Sequence, residues 1–192
     1  MTRWVHQSPT PLPEVLPDGY PVELVETAWL VDGVEVLIRP ILPEDAERYE
    51  RLFLRLSPET LYRRFMTSVP KIDQRLLQHL VTVDYTDRLA LVGIIGDEVV
   101  GVTRYDLLRP GVAEVALVVE DEWQGRGIGS RLLWRISAAA RKRGIPTFEA
   151  EVLGENRQMM GLLSVLAADL QTKMADGHYE IRIDLDSLRR PD

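Results

Sequence analysis

The chain contains no cysteine. Disulfides, thiolate metal ligands and a cysteine nucleophile are therefore excluded. Histidine is almost as scarce: His6, His79 and His178 are the whole set, in no ligand-like spacing, so no metal site is expected. No apolar run approaches the roughly 18 residues of a membrane span. The opening MTRWVHQSPTP lacks the apolar centre of a signal peptide. The expectation is a cytoplasmic protein that does not enter membranes. Positive charge is in deficit, the net charge being −7. General nucleic-acid binders are normally basic, so that class is set aside, while a basic or amine-bearing partner is weakly favoured.

What is present fits one domain of 192 residues with a sizeable core. Pro9, Pro11, Pro13, Pro17 and Pro21 crowd the first 21 residues, which predicts an extended tail and a single domain over 22–192. A strap is the alternative, with Trp4, Val5, Leu12, Val15 and Leu16 available for burial. Asp32-Gly33 reads as a hairpin turn between strands over 22–30 and 34–38. Pro43, Glu44 and Asp45 open a helix with Tyr49, Leu52, Phe53 and Leu56 on its apolar face. Ser57 and Asp73 are placed to cap two further helical pieces. Strands are expected over 89–95, 98–105, 147–153 and 179–185, and a helix capped by Asn156.

The organising stretch runs from Glu114 to Gly129. Val115, Ala116, Leu117, Val118 and Val119 form a strand apolar on both faces. Glu120, Asp121 and Glu122 form an acidic turn, expected on the surface. Gln124, Gly125, Arg126, Gly127, Ile128 and Gly129 then open a helix on which Leu132, Leu133, Ile136, Ala139 and Ala140 recur at helical spacing. Glycines at a helix start leave backbone N–H groups bare at the positive end of the dipole, which suits an anion such as phosphate. A ligand-free strand–helix turn fits these six residues equally well. A dinucleotide fingerprint does not fit, because Ser130 stands at its third glycine, and no phosphate loop ending in Gly-Lys-Ser/Thr is present.

The Gln-x-x-Gly-x-Gly run at 124–129 resembles the pyrophosphate signature of the GNAT N-acetyltransferase superfamily. The element order over about 34–185 is similar to that family's, and VEVLIRPILPEDAERYERLFLRLSPETLYRRF, Val83-Asp84-Tyr85 and Ala113 to Ala116 resemble bacterial domains that acetylate protein lysines. The resemblance implies an α/β (α+β) GNAT fold, with a mixed, mostly antiparallel sheet of six to seven strands and helices on both faces. It implies acetyl-CoA as co-substrate, held by Leu117, Val118, Val119, Gln124, Gly125, Arg126, Gly127, Ile128, Gly129, Ser130 and Asn156. It implies Glu114 as general base, with a pKa raised by burial. Glu149 and Glu151 are second candidates or help to recognise a basic acceptor. The implied acceptor is a protein lysine, for example on an acyl-CoA synthetase. A small-molecule amine and a non-catalytic acyl-CoA sensor are the rivals. The sequence departs from the pattern twice. Leu163 stands where some members carry an acid tyrosine, and Leu166-Ala167-Ala168 replaces the usual ending of the last helix, which implies an atypical arrangement of the final strands.

Overall fold

The computed structural model describes residues 12–66 and 72–190. Gly33, with φ +78°, reverses the chain between β1 (Glu26–Trp29) and β2 (Glu35–Pro40). β3 (Arg88–Ile95) and β4 (Glu98–Arg109) form a second antiparallel hairpin, and β5 (Val112–Val119) returns along β4. β6 (Thr147–Leu153) is the one parallel neighbour, of β5. β7 (Leu170–Ala175) and β8 (His178–Asp184) complete the order β1-β2-β3-β4-β5-β6-β8-β7. The sheet is mixed and mostly antiparallel, as expected, but it has eight strands rather than six or seven. The additional one is β7, an edge strand exposed at Gln171, Thr172, Lys173 and Met174 and so without an apolar face. Its antiparallel pairing with β8 is regular through all six of its residues.

Helices cover both faces. On one, α1 (Ala46–Arg55), α2 (Pro58–Phe65) and α3 (Gln74–Val81) bury Tyr49, Leu52, Phe53, Leu61 and Leu77 against Val92, Val102 and Val118. On the other, α4 (Ile128–Lys142) and α5 (Arg157–Leu166) bury Leu132, Ile136 and Leu163 against Leu91, Val115 and Phe148. The three sequence-expected caps are made: Ser57 Oγ accepts from Thr60 N–H, Asp73 Oδ1 from Leu76 N–H and Asn156 Oδ1 from Met159 N–H. α4 lies so close to β4 that a Cβ on Gly101 would sit 3.1 Å from Leu132 Cδ1 and 3.3 Å from Val118 O. At the turn into α1, the buried Asp45 holds Arg39 at 2.6 Å and accepts from Leu42 N–H. Both groups of that buried pair are thus hydrogen-bonded, which is what burial of charge requires.

Of the tail, Trp4 and Val5 lie outside the described residues. Leu12 and Leu16 pack half-buried on the main core, while Val15 is exposed. Tyr20 is buried and donates to Pro40 O at 3.1 Å.

Candidate active site

β5 and β6 pair only at Val112–Thr147, Ala113–Phe148 and Glu114–Glu149. Beyond that point β5 continues on β4 and β6 on β8, so the two strands part and leave an opening between them. A cavity of about 720 Å³ fills it, lined by Glu114 to Val119 on one side, Ala150 to Val152 on the other, and the turn at Gln124 to Ser130 at one end. Glu120 N–H still donates to Val100 O of β4 at 2.8 Å. Backbone groups alternate sides along a strand, so those of Leu117 and Val119 turn away from β4 into the opening, whereas those of Val118 face β4.

The turn is held from below. Gln124 Nε2 donates to Val119 O at 2.9 Å, tying the loop to the end of β5. Gly125 and Gly127 take φ +73° and +90°, and a Cβ on either would point into open space. Gly127 is the residue before α4, whose first N–H groups have no intrahelical acceptor. Gly129 and Ser130 line the cavity; Ile128 is buried in the core beneath it. The side chain of Arg126 points elsewhere, pairing with Asp32 at 2.9 Å and stacking over Trp123. The acidic turn is not plain surface. Glu120 is buried against Arg55, and Asp121 accepts from Ser57 N–H, Ser57 Oγ and Thr60 Oγ1, which fastens α2 beside the loop. Only Glu122 of the three is simply exposed.

At the far end Asn156 lines the cavity as the cap of α5, and Leu163 lines it where an acid tyrosine would stand. No tyrosine lines the cavity among the described residues. Glu114 lines its mouth but is exposed, contrary to the expected burial. The reason is geometric: its backbone pairs with Asp106 and Glu149 on either side, but its side chain projects from the sheet into the cavity mouth rather than into a packed layer. Sequence reasoning missed one wall altogether. Thr60, Arg63, Arg64 and Phe65 of α2, with Met66 just past its end, close the cavity over β5. The Tyr62–Met66 run gave a weak signal, since a short helix ending in adjacent arginines above an apolar strand has cations to place somewhere.

The model of the family described as "Acetyltransferase (GNAT) family" matches residues 54–166, more than half of the chain. This chain is a GNAT acetyltransferase family member. Acetyltransferase Pat of Mycolicibacterium smegmatis is 41% identical over 138 residues, covering 68% of this chain but only 40% of that relative. This chain thus spans less than half of that protein's length. Acetyltransferase PA5475 of Pseudomonas aeruginosa is 32% identical over 142 residues, covering 71% of this chain and 76% of the relative. Among solved structures, the GNAT domain of S. lividans PAT superposes with a TM-score of 0.80 at 35% identity, covering 86% of this chain and 99% of that one. The C-terminal strands, expected to be atypical for want of the usual helix ending, pair regularly with β8 between β6 and β7.

The GNAT cavity opens at Glu114 into a second depression of about 660 Å³ on the sheet face left bare beyond α2. Glu149, Glu151, Glu180, Lys173 and Arg182 line it. Glu149 is held by Arg109 and Arg182, whose hydrogen bonds and charges keep its carboxyl below the ordinary range. Glu180 pairs with Lys173 at 3.2 Å. Glu114 and Glu151 make no ion pair among the described residues. The shape also suits the family's co-substrate. The loop offers bare N–H groups and two open glycines, and the β5 edge turns the N–H groups of Leu117 and Val119 into the same cavity. No helix among the described residues is long and apolar enough to cross a membrane.

Proposed function

We propose that this chain transfers an acetyl group from acetyl-CoA to an amine, and that the amine is the ε-amine of a protein lysine. One observation carries the proposal. The parting of β5 from β6 opens a cavity that joins a glycine loop with bare N–H groups to a carboxylate without an ion pair, Glu114, at its mouth.

The coenzyme's binding follows from what the chain offers. The first amides of α4 and the loop amides at Gly125, Gly127 and Gly129 suit the pyrophosphate, with the helix dipole adding positive potential. Leu117 and Val119 offer N–H groups to the pantetheine amides and the acetyl carbonyl; Ser130 and Asn156 offer polar atoms along the arm. Bound acetyl-CoA supplies an acyl group already activated as a thioester. The chemical difficulty is the amine, which near its ordinary pKa of about 10.4 is almost wholly protonated at neutral pH. Glu114 is the base that takes that proton, directly or through one water. It is exposed to the second depression, so an acceptor on a protein surface reaches it without entering the protein. The carboxylates that line that depression favour a basic segment around the lysine. Leu163 supplies no proton for the leaving thiolate, so the proton that leaves the amine, or water, serves there.

The similarity to acetyltransferase Pat and to the GNAT domain of S. lividans PAT supports the acetyl-transfer part of this reading. The rival small-molecule reading has no specific contact in its favour. The test is direct: purified protein, acetyl-CoA and lysine peptides, with acetylation read by mass and free coenzyme A by a thiol reagent, which the cysteine-free protein does not consume. Glu114→Gln is expected to lower kcat/KM at neutral pH by about a hundredfold or more, the usual size of a general-base contribution. Full turnover in that variant removes Glu114 from the role. Acetyl-CoA binding without transfer to any amine supports the sensor instead.

A further inference from the structure

Thr60, Arg63 and Arg64 lie within one helical turn of each other on α2 and all line the cavity, so they mark the face that α2 turns towards β5. Thr60 is fixed at the loop end: its Oγ1 donates to Asp121 Oδ1 at 2.7 Å and accepts from Gln124 Nε2 at 3.4 Å. Arg64 stands one turn on, about 6 Å further along the helix axis, and its long side chain carries the guanidinium beyond that. Burial pushes its pKa down; Tyr49, Glu114 and Asp106 counter this and Arg104 adds to it. In the ladder Arg104 stands opposite Ala116 and Asp106 opposite Glu114. The guanidinium thus lies over the Glu114–Ala116 rows of β5, away from the glycine loop and beside the Leu117 edge.

The other arginines at that end are engaged. Arg104 and Arg88 hold Asp106 at 2.9 and 2.8 Å, Arg109 and Arg182 hold Glu149, and Arg63 pairs with Glu59. Arg64 is not. It is half-buried, with its Cζ 4.9 Å from the centre of the Phe65 ring, and neither a hydrogen bond nor an ion pair reaches it among the described residues. The ring steadies the cation but satisfies none of the five N–H groups that a guanidinium offers in a fixed fork. A charge held partly out of water without a hydrogen-bonding partner is costly to keep. An acetyl group in the cavity leaves that cost in place; a carboxylate removes it.

We propose that this end of the cavity takes acyl-CoA donors whose acyl chain ends in a carboxylate, as a succinyl group does, and that Arg64 receives that carboxylate through paired N–H bonds. The inference rests on the acyl-transfer reading of the same cavity and names a donor class beyond acetyl-CoA. The coenzyme arm enters from the loop and the amine from the mouth beside Glu114, so the acyl chain is left the wall that α2 supplies. Phe65 and Met66 line that wall and suit the methylene groups between thioester and carboxylate. The planar fork of Arg64 matches both carboxylate oxygens, which a point charge does not. The reaction is otherwise the one described above. The amine nitrogen attacks the thioester carbonyl, the C–S bond breaks as the amide C–N bond forms, and the amine proton ends on the released coenzyme A thiol. The terminal carboxylate is unchanged, so the modified lysine exchanges a positive charge for a negative one.

Succinyl-CoA and butyryl-CoA carry acyl chains of equal carbon count and differ in the terminal carboxylate, so comparing them isolates it. Calorimetric titration of the full chain with each, without acceptor, is expected to show succinyl-CoA binding about tenfold or more tighter, the usual weight of hydrogen bonds to a charged group. In Arg64→Leu that ratio should fall to near unity, and Arg64→Lys should keep part of it. The same ratio is then read in kcat/KM for transfer to a lysine peptide, over the enzyme-free background. Circular dichroism melting checks that each variant folds, and if Arg64→Leu does not, Arg64→Gln takes its place. Equal affinity of the wild type for the two donors overturns the proposal. So does an equal loss of both in Arg64→Leu, which would mean that Arg64 holds the wall or the phosphates rather than the acyl carboxylate. If succinyl-CoA is preferred through Arg64 but no amine is acylated, the subsite stands and the transfer reading is the one that failed. If acetyl-CoA is transferred while succinyl-CoA binds no better than butyryl-CoA, the transfer reading stands and the subsite is what failed.

Discussion

A φ of +90° at Gly127 puts two demands on one residue. The left-handed conformation favours glycine, and the bare backbone leaves room for an anion at the start of α4. The two demands can be separated. Gly127→Ala and Gly127→Glu share the backbone strain, of about 1–3 kcal/mol. Only the glutamate adds a negative charge where phosphate is proposed to sit. Calorimetric titration with acetyl-CoA should therefore show a modest loss for the alanine variant and near-complete loss for the glutamate variant. Equal losses in both would remove the anion argument. At this scale the sequence was legible for Gln124, Gly125, Gly127 and Asn156, whose types are dictated by local backbone. For Arg126 it left phosphate contact and an ordinary surface cation equally open, and the structure pairs the side chain with Asp32 and Trp123. Nothing local to residue 126 announces a partner 94 positions away.

Among the elements, α4 and the β3–β4–β5 hairpins depend on close approach rather than on helix propensity. Gly101 is the point of contact, and a methyl group there would press on Leu132 Cδ1 and on the Val118 carbonyl. The side chain can yield; the carbonyl, inside a central strand, cannot. Gly101→Ala is expected to cost about 1–3 kcal/mol, the usual range for overpacking a filled core. Urea denaturation followed by circular dichroism would measure it, and an unchanged midpoint would mean that α4 lifts freely. β7 teaches the opposite lesson about elements. Asp176 and Gly177 take φ +46° and +85°, the Asp-Gly hairpin signal that correctly marked the first turn of the chain. The strand before it, Leu170–Ala175, shows no alternating apolar face, so the turn signal stood alone. Its place is set by ladder hydrogen bonds to β8, which any side chains can accompany.

For the molecule as a whole, acid is the informative stress. Asp84, Asp106 and Asp121 each titrate below the ordinary carboxylate value. Burial pushes each of them up, and accepted hydrogen bonds more than offset it. A carboxyl whose pKa is lowered on folding contributes stability that is present above its unfolded value, near 3.9, and is lost as pH falls through the folded value. The urea midpoint should thus be nearly flat from pH 7 to pH 5 and fall below about pH 4. Asp121→Asn should make that fall shallower, because Asp121 accepts three hydrogen bonds from Ser57 and Thr60. Equal midpoints at pH 6 and pH 3 would contradict the assignment. Because those bonds fasten α2 next to the loop, the same variant also tests whether acid loosens the cavity before the fold.

The sequence by itself determined the element order apart from β7, the helix caps, the glycine loop and the family, because each depends on residues within a few positions of one another. It also pointed to Glu114, through its fixed place on the strand before the loop. Only the tertiary structure decided that β5 and β6 part after Glu114 and Glu149, that α2 closes the cavity with Arg63 and Arg64, and that Glu114 stays exposed at the junction of two depressions. Strand divergence is a property of two segments far apart in the chain, and burial belongs to whatever packs nearby. Neither leaves a mark in the local pattern of apolar and polar residues.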